Sequence, residues 1–218
     1  QSAAIKQVAN TDHNLILSAP TASGKTEAAF IPALNSVEDW ETGLKVLYIS
    51  PLKALINDQF HRISELSEYL DIPITRWHGE VSQAQKKKVV NQPKGVLLIT
   101  PESIEGMLVN RPGEAQHLFK GVEWIIIDEL HSFLGTERGI HLQSLLQRIS
   151  RFMQAPRFIA MSATLNKKDF GYAKAFFGSP RHTDILVDRV KNDLLITIDY
   201  TSGESGPFVA RESLEAIY

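Results

Sequence analysis

Cysteine is absent from the 218 residues of this sequence. Its absence excludes disulfide bonds, iron–sulfur clusters and zinc sites built on cysteine. The seven histidines are scattered along the chain and form no HExxH pattern. The sequence therefore predicts no structural metal site.

A long apolar run is also absent. No stretch approaches the ~20 continuous apolar residues that a membrane-spanning helix needs. The first ten residues, QSAAIKQVAN, show no basic region followed by an apolar run, which would mark a secretory signal. We therefore expect a soluble, intracellular, cytoplasmic protein with no membrane partner.

A strong charge of either sign is missing as well. The formal net charge is −2, so bulk electrostatics give no support for a nucleic-acid partner, and such a partner has to be argued from local motifs. The one basic run, Lys86–Lys88, falls in a segment expected to be helical. A solvent-exposed helix face is the simpler interpretation of that run.

The apolar residues indicate a parallel sheet. Five short, almost wholly apolar runs recur, at Leu15–Ala19, Val46–Ile49, Val96–Ile99, Trp124–Ile127 and Phe158–Met161. Continuous apolarity is typical of strands that are covered on both faces. Helical spacing separates the runs, and its clearest stripe is Leu142, Leu145, Leu146, Ile149 and Met153. The pattern predicts a doubly wound α/β fold, with a mostly parallel sheet and helices on both faces.

The first apolar run leads into a loop that has the features of a phosphate site. The loop consists of Pro20, Thr21, Ala22, Ser23, Gly24, Lys25 and Thr26, and a helical stretch follows from Glu27. In a phosphate loop, backbone N–H groups, the lysine and the following hydroxyl hold the phosphates of ATP and the Mg²⁺ ion. Ala19 stands at the first glycine of the strict GxxxxGK[ST] pattern, so a chance match remains the alternative.

Two adjacent acids follow another apolar run. Asp128 and Glu129 come directly after Trp124–Ile127. Because neighbouring residues of a strand point to opposite faces, the two acids are expected to do different work. We assign Asp128 to Mg²⁺, Glu129 to the attacking water as the catalytic base, and Lys25 to the transferred phosphate. Two solvated acids at the end of a strand are the alternative.

Six motifs in order resemble those of superfamily 2 helicases over residues 1 to about 180. APTASGKT resembles motif I, DELH motif II, MSAT at Met161–Thr164 motif III, SPLKAL at Ser50–Leu55 motif Ia, and TPES at Thr100–Ser103 motif Ib, while HGE at His78–Glu80 resembles the loop between Ia and Ib. Within that superfamily, SPLKAL, TPES and DELHSFLGTERG resemble the Lhr-like (large helicase-related) group. The DExH form of motif II differs from the motif of DEAD-box RNA helicases. Lys53 replaces a commoner arginine and Ala22 a commoner glycine, and neither change removes a needed group.

The resemblance implies a track for DNA or RNA. In the family, motifs Ia and Ib line the nucleic-acid backbone, which makes Pro51, Lys53, Thr100, Pro101 and Ser103 the candidates. Such groups contact phosphates and read no sequence. A turn at the end of a strand and a helix start, with Thr100 as the N-cap and Pro101 first in the helix, are the structural alternatives.

Further residues acquire roles from the resemblance alone. Ser162 and Thr164 would couple the ATP state to nucleic-acid binding through motif II, and His131 would communicate with a second domain. Core hydroxyls and a packed surface histidine are the alternatives. Gln1 corresponds to the glutamine that reads adenine in many relatives. Arg138 is expected to begin a helix rather than to contact nucleic acid.

The resulting hypothesis is the first RecA-like motor domain of an ATP-dependent helicase or translocase. It covers residues 1–189. The tail contains a strand-like run, the loop TSGESGP and a helix-like ending. Residues 190–218 are therefore expected to be a linker and the start of a truncated second RecA-like domain. A translocase that does not unwind, a P-loop kinase or transporter ATPase, and an inactive scaffold are the alternatives.

Overall fold

One seven-stranded sheet, parallel at every described pairing, forms the centre of the structure. The computed structural model describes residues 1–20, 23–67 and 70–188. The strands are β1 Asn14–Ser18, β2 Gly43–Ile49, β3 Ile74–Trp77, β4 Lys94–Ile99, β5 Trp124–Ile127, β6 Arg157–Ser162 and β7 Thr183–Val187. Their order across the sheet is β3-β4-β2-β5-β6-β1-β7.

The described residues include eight α-helices, of which the first precedes the first strand and the others lie between strands. They are α1 Ser2–Asn10, α2 Lys25–Ser36, α3 Lys53–Ser67, α4 Gln83–Asn91, α5 Pro101–Asn110, α6 Pro112–Phe119, α7 Glu137–Ser150 and α8 Phe170–Ala175, with single 3₁₀ turns at Leu130–Ser132 and Lys167–Asp169. These elements belong to one compact unit, Gln1–Asp188. Within the part of the chain that the structure describes, no helix is both long and apolar enough to cross a membrane.

Apolar side chains of the sheet pack into two separate cores, one on each face. Leu47, Ile125 and Ile127 lie in the core that α5, α6 and α7 cover. Val46 and Ile126 lie in the opposite core, which α1, α2 and α3 cover. Because alternate residues of each strand face opposite sides, continuous apolar runs are needed to fill both cores. The predicted doubly wound α/β fold is confirmed.

The predicted elements match the observed ones except at the two edges of the sheet. All five apolar runs are strands, and the leucine stripe lies buried on α7, with Met153 just beyond the end of that helix. The edge strands β3 and β7 were not predicted. Both are only partly buried and include polar residues such as Arg76 and Asp184, so they lack a continuous apolar run. The proposed division near residue 190, the strand-like run at Leu194–Ile198 and the rest of the tail lie outside the described residues.

Candidate functional site

The predicted motifs gather at one edge of the sheet. Because all the strands are parallel, the segments that follow β1, β2, β4, β5 and β6 leave the sheet at its carboxyl edge. Those segments contain the phosphate loop, SPLKAL, TPES, DELH and the end of MSAT respectively. Ligands of open α/β sheets bind beyond this edge. The topology therefore brings together residues as far apart in the chain as Pro20 and Thr164.

The phosphate loop ends in a left-handed glycine at the start of α2. Gly24 has φ 76°, a left-handed backbone conformation that favours glycine, and the nearest side chain to it is the exposed, movable amide of Gln1. No side chain caps α2, which leaves its first N–H groups facing the loop. Thr21 and Ala22 lie outside the described residues. Gln1 contacts this loop, since its Nε2 lies 3.5 Å from the carbonyl oxygen of Gly24.

The ammonium group of Lys25 lies within the loop. Its Nζ donates to the carbonyl oxygens of Ala19, at 2.6 Å, and Pro20, at 2.7 Å. Burial lowers the pKa of Lys25, while the negative charges of Glu129 and Asp128 act in the opposite direction. The structure thus places both acids within electrostatic reach of the lysine, as the sequence predicted.

Thr26, in the first turn of α2, is buried. Its hydroxyl donates to Oε1 of Gln59, at 3.2 Å, from helix α3. The contact links the phosphate loop to the helix that follows the SPLKAL motif. Gln59 was not singled out in the sequence, because a glutamine within a helix has no distinguishing pattern there.

Asp128 is buried directly beyond β5. Its Oδ2 accepts a hydrogen bond of 2.5 Å from the hydroxyl of Tyr48 on β2, and its Oδ1 accepts from the backbone N–H of Glu129 at 2.9 Å. Burial raises the pKa of Asp128, and the hydrogen bond from Tyr48 opposes that rise. Sequence reasoning missed Tyr48. The available signal was a single hydroxyl within the otherwise apolar run Val46–Ile49.

Glu129 leaves the strand in a left-handed conformation. Its φ is 49° and its ψ is 46°, whereas β5 ends at Ile127. The expectation that strand alternation separates the two acids is therefore wrong, because neither belongs to the strand and a left-handed turn separates them instead. That conformation costs a non-glycine residue on the order of 1–3 kcal/mol and is concentrated at functional sites.

The carboxylate of Glu129 has an oxygen available for a proton. Its Oε2 is buried and accepts no hydrogen bond from the described residues. The same Oε2 lies 3.2 Å from Nδ1 of His131, without hydrogen-bond geometry, and the contact becomes an ion pair when the imidazole is protonated. A buried acceptor without a donor is uncommon in proteins and needs an explanation.

The predicted coupling residues are neighbours of this acid. Ser162 Oγ lies 3.4 Å from His131 Nδ1 and donates to the carbonyl oxygen of Thr164 at 2.9 Å. Ser162 is fully buried, whereas the Thr164 side chain is exposed. A contiguous path of contacts therefore joins Glu129, His131 and Ser162, and Thr164 enters it through its backbone.

The candidate nucleic-acid residues that follow β2 differ in accessibility. Lys53 is exposed, and its Nζ pairs with Oε1 of Glu80 at 3.2 Å. Pro51 is buried, and its carbonyl oxygen accepts a hydrogen bond from Arg138. Arg138 also donates to Glu102, from Nη2 at 2.7 Å and from Nε at 3.0 Å. Arg138 begins α7 as expected, and it additionally connects the segments after β2 and β4.

The segment after β4 is a capped helix start. Thr100 is the N-cap of α5, its hydroxyl accepts from the N–H of Ser103 at 3.3 Å, and Pro101 is the first helical residue. Thr100 and Pro101 are buried, whereas Ser103 is partly exposed. The structural alternative, a helix start with Thr100 as the N-cap, is therefore present in the fold. It is compatible with phosphate binding, because a helix N-terminus presents free N–H groups.

The residues at the carboxyl edge fit Mg·ATP. The hydroxyl of Ser23 is buried without a hydrogen-bond partner among the described residues, and so is one oxygen of Glu129. The Thr26 hydroxyl and the Asp128 carboxylate are hard oxygen ligands of the kind that Mg²⁺ prefers. With Lys25 and the open N-terminus of α2, the set combines cationic and N–H groups for phosphates with oxygen ligands for a divalent cation.

Known proteins share this organisation. The model of the DEAD/DEAH box helicase family matches residues 1–170. ATP-dependent helicase Lhr-Core protein 2 of Thermococcus barophilus is 32% identical over 88% of this chain and 26% of its own length. Lhr helicase/uracil glycosylase of Escherichia coli is 33% identical over 82% of this chain and 13% of its own length.

A solved structure agrees with both. The helicase Lhr of Mycobacterium smegmatis, bound to single-stranded DNA and AMP-PNP, superposes with a TM-score of 0.74 at 29% identity, over 86% of this chain and 25% of that one. The chain thus spans about a quarter or less of the length of these relatives. The sheet, the motifs and these matches agree. The chain belongs to the DEAD/DEAH box helicase family, in which it is an Lhr-like first RecA-like domain.

Proposed function

We propose that this chain is the ATP-binding motor domain of an enzyme that couples ATP hydrolysis to movement along, or unwinding of, a nucleic acid. The observation that carries the proposal is the convergence of Lys25, Asp128 and Glu129 at the carboxyl edge of the sheet. The negative charge of each acid raises the pKa of Lys25, although both acids lie more than 100 residues after the lysine in the chain. Such a set performs phosphoryl transfer by positioning groups and neutralising charge.

Four residues and one helix end hold Mg·ATP in this proposal. Lys25 contacts the phosphates, and the N–H groups at the start of α2 add to its positive field. Thr26 and Asp128 hold Mg²⁺, which neutralises charge on the phosphates when it is bound. The hydrogen bond from Tyr48 fixes the Asp128 carboxylate and leaves its other oxygen directed by the backbone of Glu129. Gln1, next to Gly24, is placed at the same loop and is proposed to contact the adenine.

Glu129 is proposed to be the general base. Its buried Oε2 accepts no hydrogen bond from the described residues and has only the ion-pair contact with His131 at 3.2 Å, so the proposal gives this carboxylate the proton from water. The left-handed backbone directs it away from the strand, and the buried Asp128 remains with the metal. His131, at 3.2 Å, connects the base to Ser162 and so to the end of β6. Through these contacts, a change in the protonation or position of Glu129 is proposed to alter the surface at which Thr164 is exposed.

Nucleic acid is proposed to cross the segments after β2 and β4. Among the candidate residues, Lys53 is exposed and Ser103 partly exposed, and the N-terminus of α5 adds backbone N–H groups. All are backbone-contacting groups, so binding is expected to be independent of sequence. Pro51, Thr100 and Pro101 are buried and act by shaping these segments. Since the Lhr relative was solved with single-stranded DNA, we propose DNA as the strand that is bound.

A second RecA-like domain is proposed to complete the site. The relatives are about four or more times as long as the part that this chain matches. In phosphoryl transfer an arginine supplied from outside the phosphate loop contributes about 10³–10⁵ in rate. Residues 190–218 are proposed to lead toward the domain that supplies it.

The test uses Glu129→Gln in the protein that contains both motor domains. The amide retains shape but cannot accept the proton, so turnover stimulated by single-stranded DNA should fall by about 10²–10⁴, while Mg·ATP binding stays within a few-fold. Glu38→Gln, at an exposed acid after α2, is the matched control and should retain full turnover. Turnover of the Glu129 variant close to that of the control, or turnover without any response to nucleic acid, would contradict the proposal. Strand displacement by the same protein distinguishes unwinding from translocation alone.

A further inference from the structure

Two histidines and an aspartate converge at the amino ends of β1 and β7, opposite the carboxyl edge of the sheet. His13 precedes β1, His182 precedes β7, and Asp184 is the second residue of β7. One ligand atom of each lies within 4.8 Å of the other two. The spacing along the sequence, which is 169 residues between the two histidines, gave no sign of this cluster and led to the expectation of no structural metal.

The pairing of the two strands fixes this arrangement. Asn14 pairs with Thr183 in register, and the N–H of Asn14 donates to the carbonyl oxygen of His182 at 2.8 Å. His13 and His182, each one residue earlier, are therefore neighbours. Asp184 lies two residues after His182 and projects from the same face of β7. Backbone hydrogen bonds thus position all three side chains.

The side chains meet at distances suited to a shared ion. His13 Nδ1 lies 2.7 Å from Asp184 Oδ2, and His182 Nε2 lies 3.3 Å from Asp184 Oδ1. Ligand atoms of a tetrahedral zinc ion, at bonds of about 2.0–2.1 Å, are separated by about 3.4 Å. The contact of 3.3 Å matches that spacing, whereas the contact of 2.7 Å is a hydrogen bond that would open when an ion binds.

A neighbouring helix supports the carboxylate. Gln7 of α1 donates from Nε2 to Oδ2 of Asp184 at 2.5 Å. Metal-binding carboxylates are commonly held in this way by a second group. The nearby cation Arg181 is paired with Asp12 at 2.7 Å, so it is partly neutralised beside the cluster. The His182 side chain is 58% exposed, which leaves an approach for an ion and a position for water.

We propose that His13, His182 and Asp184 bind a divalent transition-metal ion of the zinc class. Two imidazole nitrogens and one carboxylate favour Zn²⁺ over Mg²⁺ or Ca²⁺, which prefer oxygen ligands. The bound ion joins the loop between α1 and β1 to the edge strand β7. The site lies one strand length, about 15 Å, from the phosphate loop at the other end of β1. It is therefore separate from the proposed site for Mg·ATP.

The test is a calorimetric titration of Zn²⁺ into the 218-residue chain, in a buffer that does not chelate metals and without nucleotide. One equivalent should bind, excess Mg²⁺ should not compete, and the thermal midpoint should rise with the Zn²⁺ concentration. His182→Ala and Asp184→Asn should each weaken binding by about tenfold or more, and Gln7→Leu by about 10–100-fold through the carboxylate. His117→Ala, at an exposed histidine on α6, should bind as the unmodified chain does.

Co²⁺ adds a spectroscopic readout of coordination. It should give the intense visible absorption of tetrahedral coordination in the unmodified chain and in His117→Ala, and only the weak absorption of the hydrated ion in His182→Ala. Because His182 is largely exposed, its removal should leave the circular dichroism spectrum unchanged, and that spectrum checks folding. Absence of saturable Zn²⁺ binding, or binding by His182→Ala and Asp184→Asn as tight as that of the unmodified chain, would overturn the proposal. Either result would leave the proposed ATPase function untouched, since no residue is shared.

Discussion

Replacement of Tyr48 by Phe tests how the buried acid of the site is held. The substitution keeps the ring, which packs 5.5 Å from the ring of Phe30, and removes only the hydroxyl that donates to Asp128. Burial and the negative charge of Asp128 raise the pKa of Tyr48 well above its ordinary value, so the phenol is a donor throughout the neutral range. Phenylalanine would leave Asp128 Oδ2 buried without this donor.

The cost follows from the charge on the acceptor. A hydrogen bond to a charged group contributes about 1.5–3 kcal/mol to folding, whereas one to a neutral group contributes about 0.5–1.5 kcal/mol. We therefore expect Tyr48→Phe to lower the free energy of unfolding by about 1.5–3 kcal/mol at pH 8. For a domain of this size, that loss lowers the melting temperature by about 3–12 °C.

The loss should depend on pH in one direction. Burial raises the pKa of Asp128 above its ordinary value of 3.8, so folding favours the protonated acid. The stability that this group contributes is fully present below pH 3.8 and is lost as the pH rises through the raised pKa. The hydrogen bond from Tyr48 limits that loss, because it stabilises the charged form. The cost of Tyr48→Phe should consequently be larger at pH 8 than at a pH below the raised pKa of Asp128.

Urea unfolding at both pH values measures these costs. Tyr172→Phe is the matched control. Tyr172 is 42% exposed, so the loss of its hydroxyl should change the free energy of unfolding little. A cost for Tyr48→Phe equal to that of the control would show that the hydrogen bond contributes nothing. A cost that does not change with pH would show that Asp128 is not the titrating acceptor.

Three further predictions concern the proposed function. Lys25→Ala should abolish Mg·ATP binding in calorimetry, because no other described cation lies in the loop, whereas Lys87→Ala on α4 should bind normally; equal affinities would refute the phosphate-loop assignment. The 218-residue chain should bind nucleotide yet hydrolyse it about 10³–10⁵ times more slowly than the protein with both motor domains, and comparable, DNA-stimulated turnover would refute the two-domain account. Arg138→Ala should weaken single-stranded DNA binding about fivefold, the equivalent of one hydrogen bond, without affecting Mg·ATP, since it removes the link between Pro51 and Glu102. An unchanged DNA affinity would show that the contacts of Arg138 with Pro51 and Glu102 do not contribute to DNA binding.

The predicted core strands were found because burial on both faces leaves a clear pattern. A strand such as Trp124–Ile127 has to be apolar at every position, and that requirement is local to the sequence. Edge strands have no such requirement. Ile74–Trp77 and Thr183–Val187 are recognisable as strands only through the neighbours with which they pair.

The sequence by itself determined the chemistry of the candidate site, because Lys25, Asp128 and Glu129 occur within motifs whose spacing and order are local and specific. Only the tertiary structure decided which groups support them. Tyr48 reaches Asp128 across adjacent strands, Arg138 connects two loops, and a left-handed turn at Glu129 does what strand alternation was expected to do. The cluster of His13, His182 and Asp184 has the same origin, since its members meet only because β7 pairs with β1. Contacts between residues far apart in the chain depend on strand order and register, and no short stretch of sequence determines either of them.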